Sequence, residues 1–254
     1  MQHPIRATLS LALPRRALLA GAATALLIPA AARAAETLRI SVAGFPDQIY
    51  TPTMIEMIKY AATKTPGVSL EVSTAPFARS LDAVLEGAAD MHLPLIRPLH
   101  PEGLPFAVTE ASIAPAPFVL YSNKDKPIDM AALAEPGKYK IETDVAHVSY
   151  FDFPVVGGAN AASSLKKVDA GRIDGYIFAG TTSDAVVQAL GLKNLHRTLY
   201  KTFDVVGVLP KAGRGGRADR WFDTAMAAVH DDPTFVALGK KLNSGYRGPD
   251  WQPA

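Results

Sequence analysis

A short pattern used twice constrains this chain more than any other feature. Residues 80–90 read SLDAVLEGAAD, and residues 163–174 read SSLKKVDAGRID. Leu81, Val84, Gly87 and Asp90 recur as Leu165, Val168, Gly171 and Asp174, 84 residues further along. In each copy Leu and Val stand three residues apart, on one face of a helix. The glycine falls where a helix needs a left-handed stop. A short apolar run follows each aspartate, MHLPLI in one copy and GYIFA in the other. Each copy therefore reads as helix, glycine stop and buried strand, half of a βαβ unit. Joints of this kind are common in α/β chains, so one match alone carries little. Two copies, too far apart for a solenoid period, predict two similar α/β lobes.

The rest of the chain fits that alternation. Strands are predicted at 37–43, 68–73, 91–95, 107–111, 114–122, 138–142, 195–200 and 203–209. Helices are predicted at 54–63, 77–86, 181–190, 219–230 and 233–242, with a short helical piece at 129–133 and a disordered tail containing proline. Strands interleaved with helices imply mostly parallel sheets covered on both faces. Pro- or Ser-rich linkers are lacking between the copies, so ordered hinge strands must join the lobes.

Residues 1–34 differ from everything after them. They hold Arg6, Arg15, Arg16 and Arg33 with no lysine or acid, and Arg15-Arg16 lead into the apolar run Ala17 to Ile28. The run is too short to span a membrane, and Ala32-Arg33-Ala34 fits an A-x-A cleavage site. This is an export signal, cleaved near Ala34 and leaving a mature start at Ala35. The paired arginines resemble a twin-arginine signal, with a Sec signal as the alternative. The whole chain has 26 Lys+Arg against 24 Asp+Glu. Without the leader's four arginines the acids exceed the bases by two, so no basic character argues for nucleic acid or membrane insertion of the mature chain. The absence of cysteine removes disulfides, thiol catalysis, Cys-based metal sites and a Cys lipid anchor.

An export signal, two α/β lobes, a G-x-x-D strand start in each and the late GRID joint occur together here. The chain resembles the periplasmic solute-binding proteins of type II fold, close to the family 3, polar amino-acid-binding partners of ABC transporters. That resemblance covers residues 37–246. It implies a two-lobed α/β fold with two hinge crossovers, near 111–116 and 200–205. Lobe one is then residues 35–113 plus 203–254, and lobe two residues 114–202. It further implies a periplasmic monomer without cofactor, serving a small polar solute and an inner-membrane transporter permease.

Ligands of open parallel sheets sit beyond the carboxyl ends of strands, near helix N-termini. That rule selects the candidate site residues. Phe45 and Tyr50, in the loop after the first strand with Asp47, either stack on the solute or pack in the core. Phe77 and Arg79 lie at a helix start, where an arginine opposes the helix dipole; Arg79 is either an anion clamp or an ordinary surface residue. Arg97 follows the third strand, where the resemblance implies a carboxylate-gripping arginine. The loop 143–150 offers His147 and Tyr150, together with Thr143 and Ser149 as ligand contacts or caps. Gly180 and Thr181 follow the GYIFA strand, where Thr181 or Thr182 reads as an N-cap and could also touch ligand.

In one respect the sequence departs from the resemblance. The amino-acid binders place an aspartate after that strand to meet the α-ammonium, and here Ala179 and Gly180 stand there. An ammonium without a partner is costly to bury, so a carboxylate or other compact anion is favoured over a standard amino acid. The chain carries no G-x-S-x-G, P-loop or H-E-x-x-H. His92, His100 and His147 have no metal-ligand spacing and read as isolated loop histidines. GRGGR at 213–217 reads as a flexible loop. The sequence thus predicts a binding protein and not an enzyme. The alternatives are a periplasmic sensor or accessory subunit, or a lyase or dehydratase on the same fold.

Overall fold

The glycine stops of the repeated pattern build the same joint twice. The structure is a computed structural model that describes residues 36–44 and 49–253. Strand β1 is Glu36–Ala43, α1 Tyr50–Thr63, β2 Val68–Ala75, α2 Phe77–Leu85 and β3 Met91–Ile96. Then come β4 Phe106–Asn123, β5 Ile141–Asp144, β6 Val156–Gly158, α3 Ala161–Asp169, β7 Gly175–Ala179 and α4 Gly180–Leu190. Strand β8 is Leu195–Pro210, and helices α5 Arg217–Val229 and α6 Pro233–Leu242 follow. Gly87 and Gly171 both adopt left-handed backbone, φ 75° and 67°, which a side chain would strain. Each following aspartate clips onto the strand beside it. Asp90 Oδ2 accepts from Arg39 N at 2.8 Å while Asp90 N donates to Arg39 O at 2.8 Å. Asp174 Oδ2 accepts from Lys140 N at 2.7 Å and Asp174 N donates to Lys140 O at 3.0 Å. Asp90 also binds the guanidinium groups of Arg39 and Arg217. Replacing Asp174 by alanine leaves Lys140 N–H without its charged acceptor, and is expected to cost about 1–2 kcal/mol. Urea unfolding measures it; a variant as stable as wild type removes the clip from the account.

The strands form one sheet in the order β2-β1-β3-β8-β4-β7-β5-β6. Its ends mirror one another. Strand β1 pairs parallel with β2 and β3, and β5 pairs parallel with β6 and β7. Between them β4 and β8 run antiparallel to each other along nearly their whole length and are antiparallel to β7 and β3. Strand β3 is buried on both faces, as its central place requires. Edge strand β2 instead alternates, turning Ser69, Glu71 and Ser73 to solvent. Among the described residues no helix is long and apolar enough to cross a membrane.

Several sequence expectations change. The strands expected at 107–111 and 114–122 are one strand, β4, and those at 195–200 and 203–209 are one strand, β8. Pro115 and Pro117 of β4 pair with β8 on one side only, since β7 joins β4 from Phe118 onward. A proline without an N–H is tolerated on a strand with one free edge. The strand expected at 138–142 is shifted to β5, and the short helical piece is a 3-10 turn, Met130–Ala132. The expected leader and its cleavage site lie outside the described residues.

The tail is ordered, because it covers a buried ion pair. Arg197 Nε and Nη2 donate to Asp184 Oδ1 and Oδ2 at 2.7 and 2.9 Å, and both side chains are 0% exposed. The Tyr121 hydroxyl also donates to Asp184; burial, then the Asp184 charge, push its pKa up. The remaining guanidinium donor serves Pro249 O and Trp251 O at 3.1 and 3.3 Å. Gln252 brackets the Arg197 backbone, accepting from its N–H at 2.9 Å and donating to its carbonyl at 2.7 Å. The rings of Tyr246 and Trp251 lie 5.1 and 5.6 Å from the guanidinium carbon. In sequence Asp184 read only as part of a helix with core periodicity.

Candidate functional site

The parallel pairs at both ends of the sheet direct the carboxyl ends of their central strands, and the helix starts that follow, toward one cleft. Its first wall is Tyr50 at the start of α1, Phe77 at the start of α2, and Pro94 and Ile96 from the end of β3. Its floor is Ala116 and Phe118 of β4 with Val205 of β8. The opposite wall is His147, Phe178, Ala179, Thr181 and Thr182, and Asn243 just beyond α6 completes the rim. The walls stand close together, leaving a cavity of about 50 Å3 between them.

Aromatic rings dominate it. Phe118, 1% exposed, lies 5.1 Å from Phe203, 5.7 Å from Phe178 and 6.1 Å from Phe151 between ring centroids. Phe77 and His147 meet across the cleft at 5.6 Å. The His147 ring, 7% exposed, also packs edge-on against Phe178 at 5.1 Å and beside Tyr150 at 5.6 Å. Its Nδ1 stands 3.5 Å from Asp144 Oδ1, and this histidine, more than the Ala146 N–H, holds the Asp144 carboxyl below the usual range. Helix α4 starts at the cleft with Ala179 as its N-cap and no side-chain cap. Neither Thr181 nor Thr182 fills the capping role expected of it, because the helix begins one residue before Thr181.

The cleft thus brings together Tyr50, Phe77, His147 and Thr181 of the sequence candidates. Arg79 points to solvent on α2 and does not line it. Arg97 is taken up elsewhere. Its Nη1 and Nη2 donate to Thr109 O and Glu110 O at 3.2 and 2.6 Å, and its Nε lies 3.4 Å from Asp204 Oδ2. These are carbonyls left without ladder partners where β4 slips register between Val108 and Ser112; Asp223 Oδ1 serves Ala111 N there in the same way, at 3.1 Å. Tyr150 lies behind His147, and burial pushes its pKa up to about 12. Gly180 is a packing residue, since a Cβ on it would stand 2.7 Å from the Tyr246 ring. Phe45 and Asp47 lie outside the described residues.

Sequence reasoning missed Pro94, Ile96, Ala116, Phe118, Phe178, Val205 and Asn243. The strand residues looked like core because they are core for most of their surface. Their alternation held a signal nonetheless: Pro94 and Ile96, and likewise Ala116 and Phe118, stand two apart on one strand face.

His92 is a buried strand residue and not the loop histidine expected. It is 0% exposed, its Nδ1 lies 2.7 Å from Ser80 Oγ, and that hydroxyl lies 2.8 Å from Ser41 Oγ. Phe77 closes over its ring at 5.1 Å. The Ser-His pair is sealed from solvent and offers no surface to a substrate. Burial lowers the His92 pKa to about 4 from 6.5. The unfolded chain therefore binds the extra proton between those values, so stability falls as pH drops from about 6.5 to about 4. The full loss is about 3 kcal/mol. The lowered carboxylates Asp90, Glu142 and Asp144 contribute only at and below their ordinary range, under about pH 4.5. His92→Gln is expected to flatten urea stability between pH 6.5 and 4.5; an unchanged slope would assign the effect elsewhere. Among the described residues no group of three or more His, Asp or Glu is placed to hold a metal ion.

No protein-family model matches the chain, and no curated protein sequence matches it either. Solved structures do. The GluR0 ligand-binding core from Nostoc punctiforme, in complex with L-glutamate, superposes with TM-score 0.59 at 10% identity over 81% of this chain and 98% of that one. A putative L-cystine ABC transporter protein from Listeria monocytogenes gives 0.57 at 17% identity, over 85% of this chain and 100% of that one. A structure described for glutathione import by Streptococcus mutans gives 0.60 at 14%, over 85% and 98%. Identities this low establish architecture alone. Mirrored parallel ends, two long antiparallel crossing strands and a cleft between the halves complete the comparison: the chain has the two-lobed α/β fold of the type II periplasmic binding proteins.

Proposed function

We propose that this protein captures a small solute between its two lobes in the periplasm and delivers it to an inner-membrane ABC transporter. Lobe one is residues 35–113 with 203–254, lobe two is 114–202, and the register slips of β4 are the hinge about which they close. The observation that carries this reading is the cleft, lined from both sides by helix starts and strand ends. Two of the similar structures, described for an L-cystine ABC transporter and for glutathione import, support transport as the role. A carboxylate or other compact anion suits the uncapped start of α4, where the first N–H groups have no intrahelical partner. With Arg97 committed to the hinge and Arg79 outside the cleft, that helix start is the anion's partner.

The test is a thermal-shift screen of the full chain against carboxylates, oxyanions, amino acids and sugars. A true ligand at a hundred times its dissociation constant should add about 2.7 kcal/mol of stability. Turnover of a bound compound would replace this reading by the lyase or dehydratase one. No response to any compound would replace it by the sensor or accessory role.

A further inference from the structure

Resting on the solute-binding reading, we infer that the ligand is a planar apolar ring bearing a single anionic group, and that free amino acids are excluded. Three observations meet here. Among the described residues that line the cleft there is no Asp, Glu, Lys or Arg. An α-ammonium buried there would face His147, Tyr50 and apolar walls, with no carboxylate among the described lining residues to offset its lost hydration. The carboxylate of Asp144 lies 3.5 Å from His147 Nδ1 and does not line the cleft.

The second observation is the shape of the walls. Phe77 from one side and His147 from the other meet at 5.6 Å with a 44° tilt, Phe178 packs against His147 in the same wall, and Phe118 closes the floor. Parting Phe77 from His147 opens a slot with an aromatic ring on each side. A flat ring fills it with the offset or edge-on contacts that such groups favour, whereas a sugar would leave its hydroxyls unpaired against carbon. The third is that polarity gathers at one end. Thr181 and Thr182 lie there with the uncapped N–H groups of α4. Asn243, on the rim, already spends its amide on Pro115 O at 3.1 Å and Gly239 O at 3.4 Å. A polar end at the start of α4 and aromatic or apolar surface elsewhere describe an aromatic monocarboxylate.

The decisive probes are 3-phenylpropionate and L-phenylalanine, which differ only by the α-ammonium, titrated calorimetrically into the full chain alongside succinate. 3-Phenylpropionate is expected to bind about a hundredfold more tightly than phenylalanine, the scale set by an unpaired buried charge. Phe77→Leu keeps the apolar bulk but loses the ring, and should weaken 3-phenylpropionate by about threefold to tenfold. Phenylalanine binding as well as or better than its deaminated analogue overturns the exclusion. Succinate binding in preference to both overturns the ring. Either result leaves solute capture standing. Silence from all three and from the wider screen removes capture itself, and this inference with it.

Discussion

Arg197→Met is expected to destabilise the protein by about 3–5 kcal/mol, because it strips the partner from a carboxylate that no water reaches. Asp184 would keep only the Tyr121 hydroxyl and the Arg247 N–H, the latter at 2.9 Å. The loss extends beyond the pair. Pro249 and Trp251 carbonyls lose their donor, and the rings of Tyr246 and Trp251 lose the cation between them. For a domain of this size a loss of that order lowers the melting temperature by roughly 10 °C. The tail should also become an early site of proteolysis, as segments without tertiary bonds are. The double variant Arg197→Met/Asp184→Leu removes both charges and should recover part of the loss. A single variant within about 1 kcal/mol of wild type would show that the tail and the pair are independent of the fold's stability.

Phe118→Ala is expected to cost about 3–5 kcal/mol and to abolish ligand binding. This ring joins the cleft floor to the core of the second half of the sheet, touching Phe151, Phe178, Phe203 and His147. Truncation leaves a cavity beneath the site that strands β4, β7 and β8 cannot collapse without breaking their ladders. Phe118→Leu separates the two effects. It retains much of the volume, so stability should fall by less than the alanine variant while the floor still loses its ring. Chemical denaturation and calorimetry on the same preparations provide both readings. If the leucine variant binds 3-phenylpropionate as wild type does, the floor ring is core and not part of recognition.

The double role of Phe118 explains why the site was only partly legible in the sequence. Helix starts and strand-following loops are recognisable from local signals, and Tyr50, Phe77, His147 and Thr181 were all found in that way. Residues within the strands carry no such mark. Phe118 and Phe178 sit within runs whose apolar character is dictated by burial, and local pattern cannot tell a ring facing a cleft from one facing a helix. Arg97 failed for the opposite reason. Position in the chain placed it at a strand end, but the register slip in β4 leaves the Thr109 and Glu110 carbonyls within its reach, and unpaired carbonyls are costly enough to claim a guanidinium.

The sequence by itself determined the duplicated joint. Leu81 and Val84, like Leu165 and Val168, share a helix face, Gly87 and Gly171 stop each helix in left-handed backbone, and that spacing needs only helix and strand periods to interpret. It also determined the alternation of strands and helices, because those periods are local. Tertiary structure alone decided how the halves are joined and how the tail is held. Pro115 and Pro117 of β4 sit where one strand edge lacks a neighbour, a fact set by the place of β7. An arginine on β8, an aspartate on α4 and a glutamine near the end of the chain meet only after folding. Hydrogen bonds between distant residues depend on which surfaces the packed sheet brings together, and no local period encodes that.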